Sequence, residues 1–286
     1  MSFELAVAPS GPYSLALSAR FAGDATRTFR DGVLTQALAI DGGIELARAL
    51  QSPNGTVTIR ADSKAAAERL RWLLALDDDH SPFLIAVRDD PMLAHASREL
   101  RGLRPLRVPT VALALLRAFC GQLIEAKRAR RMEHAIVRSL CPQGPERLHV
   151  APTTRDLGTL APSQLRALGL HARRGAALVR LCRSLDLERL HDQPTATIVR
   201  RLERERGIGP WSIGVVCLQG LGRWDHGLVG DLGLIKLLRA IRGRRVEGWE
   251  TAELLEPYGE FSGIASVYLL AGFGRGLLSF DAAAAA

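Results

Sequence analysis

The spacing of apolar residues changes once along this chain, from the alternation typical of β-strands to the three- and four-residue spacing typical of helices. Near the N-terminus, short apolar runs separated by glycine, proline, asparagine and aspartate predict strands over residues 13–19, 33–40, 44–50 and 56–61. A helix is predicted after them over residues 64–76, with Asp62 or Ser63 as its N-cap.

From about Pro105 onward the pattern is helical, with short links that contain glycine or proline. Helices are predicted over residues 111–130, 162–168, 174–185, 195–206, 210–221, 232–241, 252–256 and 263–271. Strands followed by helices predict an α+β fold, and 286 residues suit two domains. We therefore expect a small β-rich N-terminal domain over residues 1–105, a helical domain over residues 106–280 and a disordered tail over residues 281–286.

Positive charge is concentrated in the helical part of the chain. Residues 1–105 contain 12 basic and 13 acidic residues, whereas residues 106–286 contain 26 basic and 17 acidic residues. Of the 38 basic residues only three are lysines, Lys64, Lys127 and Lys236. A net charge of +8 with this asymmetry favours a polyanionic partner, nucleic acid first, although solvated helix faces in an arginine-rich protein have the same composition.

Membrane and metal functions are disfavoured. No apolar run approaches the roughly 18–20 residues that a transmembrane helix needs, and the N-terminus lacks the features of a secretory signal. The four cysteines are scattered without metal-ligand spacing, which predicts buried thiols in a reducing cytoplasm. The run of Asp77, Asp78, Asp79 and His80 is interpreted as a solvated helix exit, because adjacent carboxylates cannot all converge on one ion.

The segment Arg206-Gly207-Ile208-Gly209-Pro210 predicts a tight hairpin between two helices. Two glycines one residue apart let another chain approach the backbone closely, and proline suits the first position of the following helix. The free amides of the hairpin and of that helix, with Ser212 in its first turn, form an anion site that suits phosphate. A Gly-x-Gly pattern alone is more typical of an ordinary glycine-capped corner between helices.

Four separated segments together resemble the helix-hairpin-helix DNA glycosylase superfamily, and within it the 3-methyladenine DNA glycosylase II branch. The first is the hairpin at residues 207–209, and the second contains Asp225 and Asp231, of which Asp231 lies 22 residues after Gly209. The third is Cys120-Gly121-Gln122-Leu123, and the fourth is Pro257-Tyr258 followed by residues 263–272. The resemblance covers about residues 100–275 well. It covers the N-terminal domain loosely, where it implies a small β-rich domain of the TATA-binding-protein type. It implies base excision repair, in which the N-glycosidic bond of alkylated bases, 3-methyladenine-type N-alkylpurines, is hydrolysed in double-stranded DNA.

The resemblance makes Asp231 the catalytic carboxylate. Asp231 is also a plain N-cap candidate for the helix over residues 232–241, and the two interpretations are compatible. Amides at a helix start stabilise a negative charge, and an anion there stabilises the cationic sugar that forms as the bond breaks. Asp225 is the rival, interpreted as a turn residue or as a partner that positions the loop.

Trp211 stands where related glycosylases that also cut the DNA backbone have a lysine, whose amine forms a Schiff base with the sugar. This chain has no lysine between Lys127 and Lys236, so we expect a monofunctional glycosylase. Residues 218–286 contain no cysteine, so the iron–sulfur cluster of those relatives is not expected. No organic cofactor is implied.

A base inside a duplex cannot be reached, so its nucleotide has to be flipped out and the gap filled. The resemblance makes Leu123 the wedge that enters the DNA and places Gln122 beside the base pocket. It makes Trp211 and Tyr268 the aromatic walls that hold a cationic alkylated purine. From the residues alone, Leu123 could equally be a core leucine of the helix over 111–130, and Tyr268 a core aromatic.

Arg206, Val215 and Gly259 depart from the family pattern, which bears on the substrate range more than on the reaction. The resemblance also implies a monovalent cation at the hairpin carbonyls, with no metal ligand from side chains. We expect a cytoplasmic monomer without membrane contact, nucleoid-associated in a bacterium. Two alternatives stay open, a non-enzymatic DNA-binding protein that uses the same hairpin and a bifunctional glycosylase with lyase activity.

Overall fold

A computed structural model describes residues 2–280 and contains an antiparallel sheet beside an array of helices. The five strands are β1 (Phe3–Val7), β2 (Arg27–Arg30), β3 (Val33–Ile40), β4 (Gly43–Gln51) and β5 (Val57–Ala61). Their order across the sheet is β1-β5-β4-β3-β2, and every neighbouring pair is antiparallel. The strands predicted over residues 33–40, 44–50 and 56–61 are confirmed, whereas β1 and β2 have no counterpart among the predicted strands.

The α-helices are α1 (Leu15–Ala19), α2 (Lys64–Leu73), α3 (Ser81–Ala86), α4 (Ala94–Glu99), α5 (Val111–Gly121), α6 (Ala126–Leu140), α7 (Thr154–Thr159), α8 (Pro162–Ala167), α9 (Ala172–Ser184), α10 (Thr195–Glu203), α11 (Pro210–Val215), α12 (Leu232–Arg242), α13 (Thr251–Leu255) and α14 (Ser262–Phe273). Short 3-10 helices lie at Pro145–Arg147, Leu187–Asp192, Gly248–Glu250 and Glu256–Phe261, and a π-helical turn continues α11 over Val216–Leu221. The α+β fold class is confirmed. The tail over residues 281–286 lies outside the described residues.

The strand expected over residues 13–19 is wrong, because a capped helical turn forms there instead. The hydroxyl oxygen of Ser14 accepts a hydrogen bond from the amide of Leu17 (3.2 Å), which satisfies one of the free donors at the start of α1. Leu15 and Ala19, one helical turn apart, are the buried residues of α1. A four-residue spacing fits both a helix face and a strand face, so the apolar pattern could not separate the two.

The single helix expected over residues 111–130 is two helices. α5 ends at Gly121 and α6 begins at Ala126. Between them Leu123 has a φ of +53°, a left-handed conformation that a right-handed helix cannot continue through. The break places Leu123 on a link at the protein surface.

Helix α2 covers one face of the sheet. Ser63 caps its start, with its hydroxyl oxygen accepting from the amide of Ala66 (3.2 Å). Ala66, Ala67, Leu70 and Leu73 fall on one side of the helix and are buried against β-strand residues. The sheet and α2 therefore form one apolar cluster.

The helices that follow the sheet pack with the C-terminal part of the chain. Phe83 and Leu100, beside α3 and α4, share a buried cluster with Leu234 of α12 and with Leu269 of α14. Residues 81–103 precede the expected domain boundary near residue 105 but share their apolar contacts with residues beyond it. The division into domains stays a prediction.

Buried ion pairs join the sheet to the helices beside the cleft described below. Arg117 of α5 pairs with Asp24, just before β2, and with Glu133 of α6, each at 2.8 Å. Burial raises the pKa of Asp24, but the guanidinium groups of Arg27 and Arg117 outweigh burial and hold it below its usual value. These pairs set the position of α5 and α6 relative to the sheet.

The cysteines are free and buried, as expected. Burial raises the pKa of Cys141, Cys182 and Cys217 to about 12, so these thiols are not poised as nucleophiles. Within residues 2–280, no cluster of three or more histidine, cysteine or carboxylate side chains could hold a metal. Over the same part of the chain, no helix has the length and apolar character to cross a bilayer.

Candidate active site

A cleft of about 1490 Å³ opens between the end of α5, the hairpin after α10, the start of α12 and one face of α14. Most of the residues predicted to form the site line this cleft, namely Gln122, Leu123, Gly207, Gly209, Trp211, Ser212 and Asp231. Two do not. Ile208 packs against the main core of the helical part, and Tyr268 is buried elsewhere.

The hairpin itself has the expected form. Gly207 has a φ of +93°, and a Cβ atom there would lie 3.2 Å from that of Ala177, so backbone and packing both require glycine. A Cβ on Gly209 would meet no protein atom within 4 Å, so this glycine faces open space. Pro210 is the first residue of α11, as predicted. One side of the hairpin is therefore bare backbone, open to an approaching chain.

Gln122 ties the link between α5 and α6 to the hairpin. Its side-chain Nε2 donates to the carbonyl oxygen of Gly207 (2.8 Å) and to the hydroxyl oxygen of Ser212 (3.0 Å). Ser212 is only 2% exposed, so its hydroxyl group is engaged within the protein. Gln122 thus lies in the cleft, as expected, and also positions two of its walls.

Leu123 is not a core residue, since 84% of its surface is exposed. Leu123 has a left-handed backbone conformation, which is energetically unfavourable for leucine. Such strained residues are found mainly at functional or tightly constrained sites. The side chain stands at the rim of the cleft, held by the bonded neighbour Gln122. An apolar group presented to water in this way suits insertion into a stack of bases.

Asp231 is both an N-cap and a cleft residue. Its Oδ1 accepts from the amides of Gly233 (2.7 Å) and Leu234 (3.4 Å) at the start of α12. Its Oδ2 accepts from the indole Nε1 of Trp211 (2.9 Å). The preceding Gly230 has a φ of +85°, which brings the carboxylate to the helix start. Three donors suit an ionised carboxylate and fix its orientation.

The Trp211 ring spans the floor of the cleft from Asp231 to α5. Its Nε1 bonds the carboxylate, and its Cη2 lies so close to Gly121 that a Cβ atom there would be 2.5 Å away. The indole is therefore clamped at one end by a hydrogen bond and at the other by a glycine. Trp211 and Asp231, the central residues of the predicted site, are therefore in direct contact, although they lie two and 22 positions after Gly209.

The prediction that Tyr268 walls the base pocket is wrong. Tyr268 is 0% exposed, and its hydroxyl group donates to the carbonyl of Leu100 (3.1 Å). α14 instead presents Val267, Leu270 and Ala271 to the cleft, which lie on a different face of the helix from Tyr268. The apolar C-terminal helix is buried almost all round, so its sequence did not reveal which face meets the cleft.

Two exposed aromatics in the cleft were missed. Trp249 (67% exposed) follows Gly248, which packs against the α-carbon of Gly230. Phe21 (68% exposed) lies just after α1. Both lie on short links outside the predicted elements. In a chain with only 5% aromatic residues, an aromatic on a link was the available signal.

Asp225, the rival carboxylate, lies outside the cleft lining. It is exposed, and its Oδ1 accepts from the hydroxyl group of Thr195 at the start of α10 (3.0 Å). This contact fits the interpretation of Asp225 as a turn residue that positions a loop. Val215, which departs from the family pattern, is buried in the cleft wall.

The chain is similar in sequence to proteins that are named as DNA repair enzymes. No family model matches the chain. A Bacillus subtilis protein named DNA-3-methyladenine glycosylase is 25% identical over 204 residues, covering 68% of this chain and 67% of that protein. A Mycobacterium tuberculosis protein named probable bifunctional transcriptional activator/DNA repair enzyme AlkA is 27% identical over 216 residues, covering 72% of this chain but only 43% of that longer protein.

Solved structures share the fold over almost the whole chain. A 3-methyladenine DNA-glycosylase from Archaeoglobus fulgidus superposes with a TM-score of 0.83 at 19% identity, covering 95% of this chain and 98% of that one. An 8-oxoguanine glycosylase/lyase from Clostridium acetobutylicum superposes with a TM-score of 0.76 at 15% identity, covering 94% and 96%. The fold is therefore common to glycosylases of both kinds, and the side chains of the cleft have to separate them.

Proposed function

We propose that this chain is a monofunctional enzyme that releases alkylated bases from double-stranded DNA by hydrolysing their N-glycosidic bonds. The chain belongs to the helix-hairpin-helix DNA glycosylase superfamily and within it to the 3-methyladenine glycosylase branch. The observation that carries the proposal is Asp231, held by three N–H donors in a cleft beside an open glycine hairpin. In a DNA-binding protein without activity the side chain would serve only as an N-cap, a role that asparagine fills as well without repelling phosphates.

The carboxylate acts on the charge that develops during the reaction. As the bond from C1′ of the sugar to the base nitrogen breaks, the electron pair leaves with the base and the sugar becomes cationic. The anionic Asp231 stabilises that cation and orients the water that attacks C1′. An N-alkylated purine is already cationic and departs neutral, so the lesion itself weakens the bond that is cut.

Trp211 supplies an aromatic face for the flipped base. A flat, electron-rich indole attracts a cationic purine by stacking and by cation–π interaction. With Tyr268 buried and Val215 aliphatic, we assign the second aromatic contact to Trp249, which lies in the same cleft. Gln122 borders the same space.

The DNA is held and opened by the elements around this pocket. We assign the phosphate contacts of the lesion strand to the backbone at Gly207, Ile208 and Gly209. Ser212, predicted as a phosphate contact, is buried with its hydroxyl group bonded to Gln122, so we assign it the support of this backbone instead. Leu123 fills the gap that the flipped nucleotide leaves. The hydrogen bonds from Gln122 to Gly207 and Ser212 keep Leu123 at a fixed distance from the phosphate-binding hairpin.

A lyase step lacks its nucleophile at the hairpin, where Trp211 stands. Lys236, five residues after Asp231, is the one lysine among the residues that line the cleft. Borohydride added during turnover should trap no covalent protein–DNA complex, since no Schiff base forms. A trapped complex that disappears in Lys236→Ala would overturn the monofunctional assignment.

The direct test is to incubate the protein with methylated genomic DNA and to identify the released bases by mass spectrometry. Wild type should release 3-methyladenine and related N-alkylpurines, and Asp231→Asn should release none while binding DNA as well or better. Absence of release by the wild type, with DNA binding intact, would support the non-enzymatic alternative instead.

Two carbonyls of the hairpin already accept hydrogen bonds from side chains, which bears on the monovalent cation that the family resemblance suggests. The carbonyl of Gly207 accepts from Gln122, and that of Arg206 accepts from the guanidinium group of Arg180 (3.0 Å), whose charge opposes a cation. A cation at these two carbonyls does not fit, and no step of the reaction depends on one. We propose that no organic cofactor or iron–sulfur cluster takes part.

We further propose that the sheet with α2 corresponds to the β-rich domain of TATA-binding-protein type, on the strength of its antiparallel strands with a helix on one face. We also propose that the protein acts as a monomer. Its DNA substrate implies a cytoplasmic, nucleoid-associated location in a bacterium.

A further inference from the structure

The first half of α6 carries positive charge that no ion pair with a described residue compensates. Lys127, Arg128, Arg130 and Arg131 are exposed, and none has a carboxylate within ion-pair distance among residues 2–280. Glu133 on the same helix is buried and bonded to Arg117 (2.8 Å). Four neighbouring cations without counter-charges repel one another, which makes an external polyanion a favourable partner.

Three of these cations share a helix face with a histidine. Lys127, Arg130, Arg131 and His134 are spaced by three and four residues, and together they line an open concavity of about 510 Å³. Phe21, from the N-terminal part of the chain, closes one side of it. The surface therefore combines a basic helix face with one aromatic ring.

Phe21 is exposed although its turn is well anchored. The amide of Ala22 donates to the carbonyl of Ala19 (2.9 Å), and the carbonyl of Ala22 accepts from the buried Arg27 (2.8 Å). The guanidinium carbon of Arg20 lies 5.4 Å from the centre of the phenyl ring. A rigid, exposed ring flanked by cations is suited to stacking on a base whose phosphates those cations neutralise.

This surface adjoins the wedge. α6 begins three residues after Leu123, and Arg20, Phe21 and Arg130 line the same cleft as Asp231. We propose that the α6 face and Phe21 bind the DNA strand complementary to the one that carries the flipped nucleotide, with Phe21 against the base left without its partner. The inference rests on the proposed function, because it takes the hairpin as the contact to the lesion strand.

The dimensions of the helix face suit this role. Seven residues separate Lys127 from His134, a rise of about 10 Å along a helix. One DNA strand carries a phosphate for each ~3.4 Å of helix axis, so the face spans about three phosphates. The three cations of the helix face therefore match about three consecutive phosphates of one strand.

The test measures binding by fluorescence anisotropy, with an undamaged 20-base-pair duplex and with one of its strands alone, over a range of salt concentrations. The triple variant Lys127→Ala, Arg130→Ala, Arg131→Ala should lower the log–log salt slope on the duplex by about 2.7, at ~0.9 per lost contact. The single strand should lose far less affinity, because the hairpin still binds it. The control Arg60→Ala, Arg88→Ala removes two exposed arginines that lie outside the cleft lining and should change neither.

Phe21→Ala is tested on a duplex with an abasic-site analogue, which leaves one base unpaired. Affinity for it should fall about fivefold or more, from the loss of ~1 kcal/mol of stacking, while Phe21→Trp retains it. Thermal melting confirms that each variant is folded. An unchanged duplex affinity in the triple variant, or equal losses on duplex and single strand, would overturn the inference, as would an unchanged affinity in Phe21→Ala.

The binding assays need no turnover, so they separate the two proposals. If the wild type binds duplex through α6 but releases no methylated base, the proposed function fails and the DNA surface stands. If the wild type releases bases while the triple variant binds duplex normally, the α6 surface serves another polyanion and this inference fails alone.

Discussion

The cleft and the core each contain a cluster that pairs an aromatic side chain with a titratable one, and of these two only the cleft cluster opens to solvent. In the cleft, the indole Nε1 of Trp211 donates to Asp231 (2.9 Å). In the core, the hydroxyl group of Tyr268 lies 3.2 Å from Nε2 of His80, whose Nδ1 accepts from Arg104 (3.3 Å). His80, Arg104 and Tyr268 are at most 1% exposed.

The core cluster forms a closed chain of donors and acceptors. Nδ1 of His80 accepts from Arg104, so its Nε2 carries the proton and donates to the Tyr268 hydroxyl oxygen, and that hydroxyl group donates to the carbonyl of Leu100. Each polar atom there is used within the protein. In the cleft, Asp231 and the face of Trp211 keep access to a ligand, so similar chemistry serves structure in one place and function in the other.

The largest effect expected from this difference is that of Asp231→Asn. The amide keeps the shape of the side chain but removes the charge that stabilises the sugar cation, so base release should fall by about 10²–10³-fold or more. Single-turnover release of methylated purines measures this. The control Asp225→Asn, on the exposed turn outside the cleft lining, should stay within about twofold of wild type. Equal turnover by Asp231→Asn would end the catalytic assignment.

Trp211→Phe should have the next largest effect. Phenylalanine keeps an aromatic face but cannot donate to Asp231, so the carboxylate loses one of its three anchors. We expect single-turnover release to fall about 10–100-fold, from misorientation of the carboxylate. The control Trp72→Phe, outside the cleft lining, should leave release unchanged. Wild-type rates in Trp211→Phe would show that the hydrogen bond is dispensable.

Gly121→Ala tests the other end of the same indole. The added methyl group would lie 2.5 Å from Cη2 of Trp211, so the ring has to move while its Nε1 is bonded to Asp231. Release should fall about tenfold, with a cost in stability of about 1–3 kcal/mol from overpacking. Denaturant unfolding gives the stability, and normal release would show that the clamp on the ring is loose.

Tyr268→Phe should show the opposite pattern in the sealed cluster. Loss of the hydroxyl group leaves the buried carbonyl of Leu100 and Nε2 of His80 without their partner, at a cost of about 1–3 kcal/mol in the free energy of unfolding. Base release per folded molecule should stay within about twofold of wild type. A large loss of activity without a loss of stability would show that Tyr268 contributes to the base pocket.

The core cluster should also make stability depend on pH, with no effect expected at neutral pH. Burial, reinforced by the charge of Arg104, lowers the pKa of His80 to about 4 in the folded protein. The unfolded chain takes up the proton near pH 6.5, so the free energy of unfolding is fully present above about 6.5 and falls as the pH drops toward 4.

The slope should be shallower in His80→Gln than in wild type, as measured by denaturant unfolding between pH 4 and 7. The difference isolates His80 from His134, His191 and His226, whose pKa values burial also lowers. Parallel curves for the two proteins would show that His80 is not held neutral.

Local patterns revealed the parts of the fold and site that depend on few residues. The hairpin at residues 207–209 and the cap at Asp231 follow from glycine, proline and aspartate at particular positions, because their conformational preferences act over a single turn. The alternating strands β3, β4 and β5 followed for the same reason. β2 has only four residues, which is too short for a clear alternation. β1 pairs with β5, which is distant in the sequence, and this pairing stabilises it more than its composition does.

The positions of Tyr268, Trp249 and Phe21 relative to the cleft could not be read in the same way. α14 is apolar on nearly every side, so only its neighbours decide that Val267, Leu270 and Ala271 face the cleft while Tyr268 faces His80. Trp249 and Phe21 lie on links, whose directions depend on anchors far away in the chain.

By itself, the order of residues determined a glycine bend, an aspartate that starts a helix 22 positions later, a tryptophan where a lysine would make a lyase, and an excess of arginine after residue 105. The tertiary structure alone decided that the tryptophan bonds the aspartate, that Leu123 stands in solvent and that Tyr268 is sealed away. Local preferences act within one turn of chain, whereas contact and exposure depend on how distant segments pack, and function here depends on both.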